Sequence, residues 1–466
     1  MVKGVVDHGF VNYDMNHLPM YYFLSALVMA IVGNAAVAAV GVSMAAGVLT
    51  VVLAFLLSDR IAGRRVAWTV GVLLIFQPEL ALYSASSLRE PVYAAALLGS
   101  LLALVHERLV LASFLAGIAF LTRMDALLIL SPVLALHALG HSPGLRRLIK
   151  SLGPLLLVVF SWSLYCRLHP EYQTFAFWGH SVAVNLETGG APAGQSLGGW
   201  IASGLDVVSG LGIRVLSGRM GIGIWLALLL GLGMTPWRRH SAKRTVGFAG
   251  LLLLGFWLGT GFLAQHEIGH NLYWKWLHGP LPILFVIAVP VLWTAIDRLS
   301  PVLGAAGARF VFALILIQAF VQMGHQTRAQ LLQSAKVNGP QLELARWIEE
   351  ETAENAVLVL DNIPERWLSR RDHQRRFLSW MDLVECPDKG GACELAPFAL
   401  GNLLFSQGVS YVLWFKEAWT MGPKAAPYLG GADEMDLGQV KLKPIRRDRM
   451  DEVDGWVFYE VLPRSY

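Results

Sequence analysis

At 466 residues, with 55% hydrophobic side chains, only 15% charged ones and a mean hydropathy of +0.51, the chain is too apolar for an ordinary soluble domain, which carries about 25% charged residues. Its net charge of +4 is too small and too scattered to point to nucleic acid. Ten long apolar runs fill most of residues 35–325 and the sequence then stays polar to Tyr466, which selects a polytopic α-helical membrane protein with a small C-terminal α/β soluble domain.

In chain order, the first apolar stretch is His17–Gly33 (HLPMYYFLSALVMAIVG), followed by spans expected near 35–57, 66–83, 88–105, 109–122, 126–140, 151–166, 220–236, 245–264, 279–296 and 308–325. Lys and Arg decide their orientation, because short cytoplasmic loops concentrate cations. One set of loops holds Arg60, Arg64 and Arg65; Arg108; Arg146, Arg147 and Lys150; Arg238, Arg239, Lys243 and Arg244; and Arg298 and Arg309. The alternate loops carry only scattered cations. The first set is therefore expected in the cytoplasm, with residues 1–34 and the tail outside. On that assignment His17–Gly33 lies in the outer interface, with Tyr21 and Tyr22 at headgroup level; an eleventh span is the alternative. An outside N-terminus with neither signal peptide nor leading span ahead of it implies that a first helix has been lost.

The tail, residues 326–466, reads as a small α/β domain. An amphipathic helix after Gly339-Pro340 carries Leu342, Ala345, Trp347 and Ile348 on one side. Strands are expected at Ala356–Leu360, Val409–Phe415 and Trp456–Leu462, and a helix near Pro397–Gln407. Cys386 and Cys393 flank a Pro/Gly-rich loop, and an oxidising compartment would join them in a disulfide. Cys166 lies in a span.

Ionisable residues at membrane depth are costly, so those at the outer ends of spans are candidates for function. Four places qualify: Asp7, Asp14 and His17; the loop Ser84–Glu90 (SASSLRE), ending in Arg89-Glu90; Leu121–Asp125 (LTRMD); and Gln265–His278 (QHEIGHNLYWKWLH). The long outer loop 167–199 adds Trp178 and His180. Taken singly, each of these reads as readily as a solvated loop residue or a helix-end anchor. As a set they gather both signs of charge at one leaflet.

The pattern resembles the GT-C superfamily of integral-membrane glycosyltransferases, in the branch of the protein O-mannosyltransferases and lipid A aminoarabinose transferases. His17–Tyr22 (HLPMYY) is similar to the family's HPPLYY. Tyr83–Pro91 (YSASSLREP) resembles the stretch where an acidic residue opens the next outer loop. Gly117–Leu128 (GIAFLTRMDALL) resembles G-x-A-x-LTR-x-(D/E)-x-LL, and Tyr273–Pro282 (YWKWLHGPLP) resembles the start of a late span.

The resemblance implies transfer of a sugar from a polyprenyl-phosphate-linked donor to a glycan, lipid or protein acceptor at the outer face of a bacterial inner membrane. A carboxylate would take the acceptor proton, and cations would hold the leaving phosphate. Glu90 matches the family's second acidic position, giving it the role of base or of substrate positioning. Arg89, Arg123 and Lys275 are candidates for the phosphate, with Asp125 orienting Arg123. His17 and His180 would bind sugar hydroxyls, and His278 joins the substrate-binding set. Mg²⁺ or Mn²⁺ stays open as a cofactor. One departure stands out: the family's leading acidic pair lies well ahead of HPPLYY, whereas only 16 residues precede His17. Asp7 and Asp14 are the catalytic candidates available there, and they sit too close to His17 to be matched securely with that pair.

Two rival readings belong to other classes. His266-Glu267-Ile268-Gly269-His270 is an HExxH motif, which on a helix sets two His one turn apart to share Zn²⁺ with Glu as general base, as in a membrane metalloprotease. No convincing third ligand follows it in sequence. A transporter of lipid-linked substrates would place its charge near the bilayer midplane and show internal repeats, and neither pattern is present.

Overall fold

The computed structural model describes residues 18–86, 88–141, 144–168, 202, 205, 217–233, 245–255, 280–353, 355–360, 376–379, 396–415, 426, 429, 434–448 and 456–464. The chain divides into two compact units, Met1–Leu331 and Leu332–Tyr466.

The first unit is helical. Helix α1 (Met20–Val32) ends on Gly33, whose φ of 73° is the left-handed conformation that closes a helix at little cost to glycine. At 13 residues it is too short to cross a bilayer alone. Helix α2 (Ala35–Ala62) starts on Asn34, whose side chain accepts from the Val37 amide at 3.0 Å. The single span expected near 66–83 is instead two helices, α3 (Arg64–Ile75) and α4 (Pro78–Ser84), bent by 60°. Pro78 causes the break: it disfavours a helical Gln77 before it and suits the first turn of a new helix.

Helices α5 (Glu90–Val105), α6 (Leu109–Phe120), α7 (Asp125–His141) and α8 (Leu145–Leu168) follow. Their ends correct the expected bounds by a few residues, most at α8, which begins among the cations at 146–150. Short helices α9 (Ser217–Met220), α10 (Ile222–Gly233) and α11 (Thr245–Gly255) lead to α12 (Pro280–Glu351). The two spans expected at 279–296 and 308–325 are the arms of α12 on either side of Gly304, whose φ of 70° and ψ of 160° break the helix. Three of the described helices are long and apolar enough to cross a membrane, or four if the bent α3–α4 pair is one span. The expected ten are therefore not reproduced among the described residues. Several of the remaining apolar helices, such as α5, α6 and α7, fall short of the ~20 residues a span needs.

Helix α5 is buried along nearly its whole length and packs between α2 and α6; α6 in turn packs on α8. Its N-terminus is thus held on several sides, which matters for the charged residues found there.

The second unit carries a six-stranded mixed sheet of order β2-β1-β3-β6-β5-β4. Strand β1 (Val357–Leu360) runs parallel to β2 (Arg376–Ser379) and β3 (Tyr411–Phe415), and β3, β6 (Trp456–Pro463), β5 (Val440–Asp448) and β4 (Met435–Asp436) pair antiparallel. Leu400 and Leu404 of α13 (Pro397–Ser406) pack with Val359, Val412 and Val457, while Ile348, Leu358 and Phe458 form a separate cluster. Three strands and the helix stand where they were expected; β2, β4 and β5 were not foreseen. Strand β5 (VKLKPIRRD) is mostly charged and contains a proline, tolerated here beside a register shift between Pro444 and Arg446. Cys386 and Cys393 lie outside the described residues.

Candidate active site

Two helix N-termini build the site. Pro91 sits in the first turn of α5, which places Glu90 at that helix's positive end. Between α6 and α7 the chain makes a tight turn, with the Arg123 amide donating to the Ala119 carbonyl at 2.8 Å, and Asp125 opens α7. Each helix therefore presents a carboxylate where the backbone favours negative charge, and Arg123 stands between them.

The three side chains are buried, with Glu90 3%, Arg123 7% and Asp125 8% exposed. Arg123 Nε donates to Asp125 Oδ1 at 3.0 Å, and its Nη1 lies 3.7 Å from Glu90 Oε1. Its guanidinium carbon lies 5.3 Å from the centre of the Tyr93 ring, and the Tyr93 hydroxyl donates to Asp125 Oδ2 at 3.2 Å. Both oxygens of Asp125 are thus engaged. Glu90 differs, because its Oε2 is buried and has no hydrogen-bond partner among the described residues. Arg89, the residue before it, is half-buried and lies within electrostatic range of Glu90, Arg123 and Asp125. It makes no ion pair with a described residue.

Surrounding helices fix this turn. Ser43 of α2 donates to the Leu88 carbonyl at 2.8 Å and accepts from the Leu88 amide at 3.2 Å, and Thr50 donates to the Pro91 carbonyl at 3.3 Å. The Met20 amide at the start of α1 donates to the Leu121 carbonyl at 3.0 Å, tying α1 to the α6–α7 turn. The Tyr21 hydroxyl donates to the Ala39 carbonyl at 3.0 Å.

Of the residues singled out by sequence, Arg89, Glu90, Arg123 and Asp125 come together. Asp7, Asp14, His17, His180, Lys275 and His278 lie outside the described residues, as do His266, Glu267 and His270 of the HExxH motif. Among the described residues no three His, Cys, Asp or Glu side chains gather to hold a metal ion.

Sequence reasoning missed one participant, Tyr93, and one further buried acid, Glu79. Tyr93 was read only as part of an apolar run. Glu79, 1% exposed, accepts from Gln77 and pairs with Arg219. An acid inside the run FQPELAL was signal enough to flag it.

Residues 16–166, which include the whole described site, match the family model of the dolichyl-phosphate-mannose-protein mannosyltransferases. No curated protein matches in sequence. Among solved structures, apo ArnT from Cupriavidus metallidurans superposes with a TM-score of 0.60 at 14% identity, over 98% of this chain and 91% of that one. ArnT bound to undecaprenyl phosphate gives 0.58 at 14% identity, over 96% and 88%. An oligosaccharyltransferase from Archaeoglobus fulgidus, in complex with zinc and sulfate, gives 0.51 at 12% identity, over 89% of this chain and 62% of that one. The resemblance read from short motifs is thus met by a family model over residues 16–166 and by a similarity of fold to ArnT and to the oligosaccharyltransferase.

Proposed function

We propose that this protein is a membrane glycosyltransferase that moves a sugar from a polyprenyl-phosphate-linked donor to an acceptor at the outer face of a bacterial inner membrane, with its C-terminal unit on that side. The observation that carries the reading is Glu90: a buried carboxylate with one oxygen facing Arg123 and the other without a partner among the described residues. An unpaired buried acceptor is costly, so its place at a charged cluster calls for a proton donor to meet it.

In this reading Glu90 Oε2 takes the proton of the acceptor hydroxyl as that oxygen attacks the anomeric carbon. The bond from that carbon to the phosphate oxygen breaks, and the polyprenyl phosphate leaves with the electron pair. Arg123 keeps Glu90 aligned, and Asp125 and Tyr93 hold Arg123. Arg89, with no described ion-pair partner, is the cation left to meet the growing phosphate charge, with Lys275 as a second. The crystallised complex of ArnT with undecaprenyl phosphate supports a polyprenyl carrier. The zinc in the oligosaccharyltransferase complex keeps a divalent metal within the proposal. The direct test reconstitutes the full-length protein in vesicles with a panel of polyprenyl-phosphate sugars and follows release of polyprenyl phosphate. Release from at least one donor is expected; neither binding nor release with any of them would overturn the reading.

A further inference from the structure

A second charged feature lies at the other end of α5. Its 16 residues rise about 24 Å, from Glu90 to the turn that carries Glu107 and Arg108. There a cleft of about 1080 Å³ opens between that turn, α6 and the start of α8, walled by Arg108, Arg146, Arg147 and Lys150. Four cations face one carboxylate, and that carboxylate is already committed: Glu107 contacts His137 Nε2 at 3.1 Å and pairs with Arg147. Glu107 holds this pose at a φ of 59°, a strained conformation for a residue with a side chain. Arg108, Arg146 and Lys150 are exposed and have no acidic partner among the described residues, and Arg147 Nε is buried without a hydrogen-bond partner.

The helix end makes the imbalance sharper. Arg146, Arg147 and Lys150 fall in the first two turns of α8, where the exposed N–H groups favour anions, and no acidic residue occupies its first turn. The opposite wall is apolar: Val110, Leu111 and Phe114 of α6 line the cleft and are themselves exposed. A cationic mouth against an exposed apolar helix face is complementary to an amphiphile with a negative head. We propose that this cleft binds one anionic phospholipid, its phosphodiester among Arg108, Arg146 and Lys150 and an acyl chain along α6. The site is separate from the Glu90 cluster and goes beyond the transfer reaction.

The test is native mass spectrometry of the full-length protein titrated with palmitoyl-oleoyl phosphatidylglycerol, with phosphatidylcholine as the zwitterionic control. The variant R108Q/R146Q/K150Q should lose affinity for phosphatidylglycerol by at least about tenfold. R60Q/R64Q/R65Q removes the same charge elsewhere and should change it less than about twofold. Equal loss in the two variants, or equal binding of phosphatidylcholine, overturns the proposal. Displacement of the lipid by millimolar inorganic phosphate would assign a soluble anion instead and also overturns it. Should the triple variant fail to fold, Phe114→Ser decides: weaker binding of the long-chain lipid with unchanged binding of dihexanoyl phosphatidylglycerol is expected, and unchanged long-chain affinity contradicts the site.

Discussion

At the scale of single residues, the account rests on a cation shared by two acids. Arg123 lies 3.0 Å from Asp125 and 3.7 Å from Glu90, and all three are buried. Such a cluster is weak evidence of stability, yet breaking it from one side is expensive because uncompensated charge stays behind. Arg123→Met is therefore expected to destabilise the protein by about 3–5 kcal/mol. Adding Glu90→Gln and Asp125→Asn should recover part of that loss, since the stranded charges then disappear. Thermal unfolding in detergent reads both effects, and an Arg123→Met protein as stable as the wild type would contradict the cluster. Much of this site was legible in the sequence. Arg89, Glu90, Arg123 and Asp125 are charges set among apolar runs, and their cost in a membrane marks them. Tyr93 escaped notice because its hydroxyl is a minor part of an apolar ring, and only the fold reveals that it reaches Asp125.

At the scale of elements, close helix approach holds the site in place. A Cβ on Gly47 of α2 would clash with the Oγ and Cβ of Ser84 of α4, whereas a Cβ on Gly41 of the same helix meets nothing within 4 Å among the described residues. Gly47→Val is thus expected to cost about 1–3 kcal/mol by pushing α4 away. Gly41→Ala should instead stabilise by about 0.5–1 kcal/mol by removing a flexible residue from a helix interior. Unfolding midpoints of the two variants that move in the same direction would count against this packing. Apolar periodicity located most of the described helices but not every break: Pro78 split one expected span, whereas the break at Gly304 falls between two spans that were expected as separate. Backbone geometry at one residue decides such cases, and run length does not report it. Strand β5 was invisible for the opposite reason, since its charges mask a strand that pairs with β6 along its length.

At the scale of the whole molecule, the order of helices puts the Glu90 cluster and the basic cleft at opposite ends of α5. If Lys and Arg mark cytoplasmic loops, as expected from the sequence, the basic end faces the cytoplasm and the proposed transfer takes place outside. Cysteine labelling in intact cells tests that sidedness, in a background with Cys166, Cys386 and Cys393 replaced. Ala85→Cys beside the site should react with a membrane-impermeant maleimide, and Arg65→Cys should react only after permeabilisation. The reverse pattern would invert the topology. The overall fold was legible because short motifs kept their order along the chain; helix lengths were less so, since α6, expected as a span, has 12 residues against the ~20 a span needs.

The most direct test of the central claim is single-turnover transfer from a polyprenyl-phosphate sugar by wild-type and Glu90→Gln protein, both shown to be folded by their unfolding midpoints. General-base catalysis is worth about 10²–10⁴-fold, so the account predicts a loss of at least about 100-fold in the variant with donor binding retained. Turnover in Glu90→Gln equal to the wild type would contradict the role of Glu90 and the mechanism built on it.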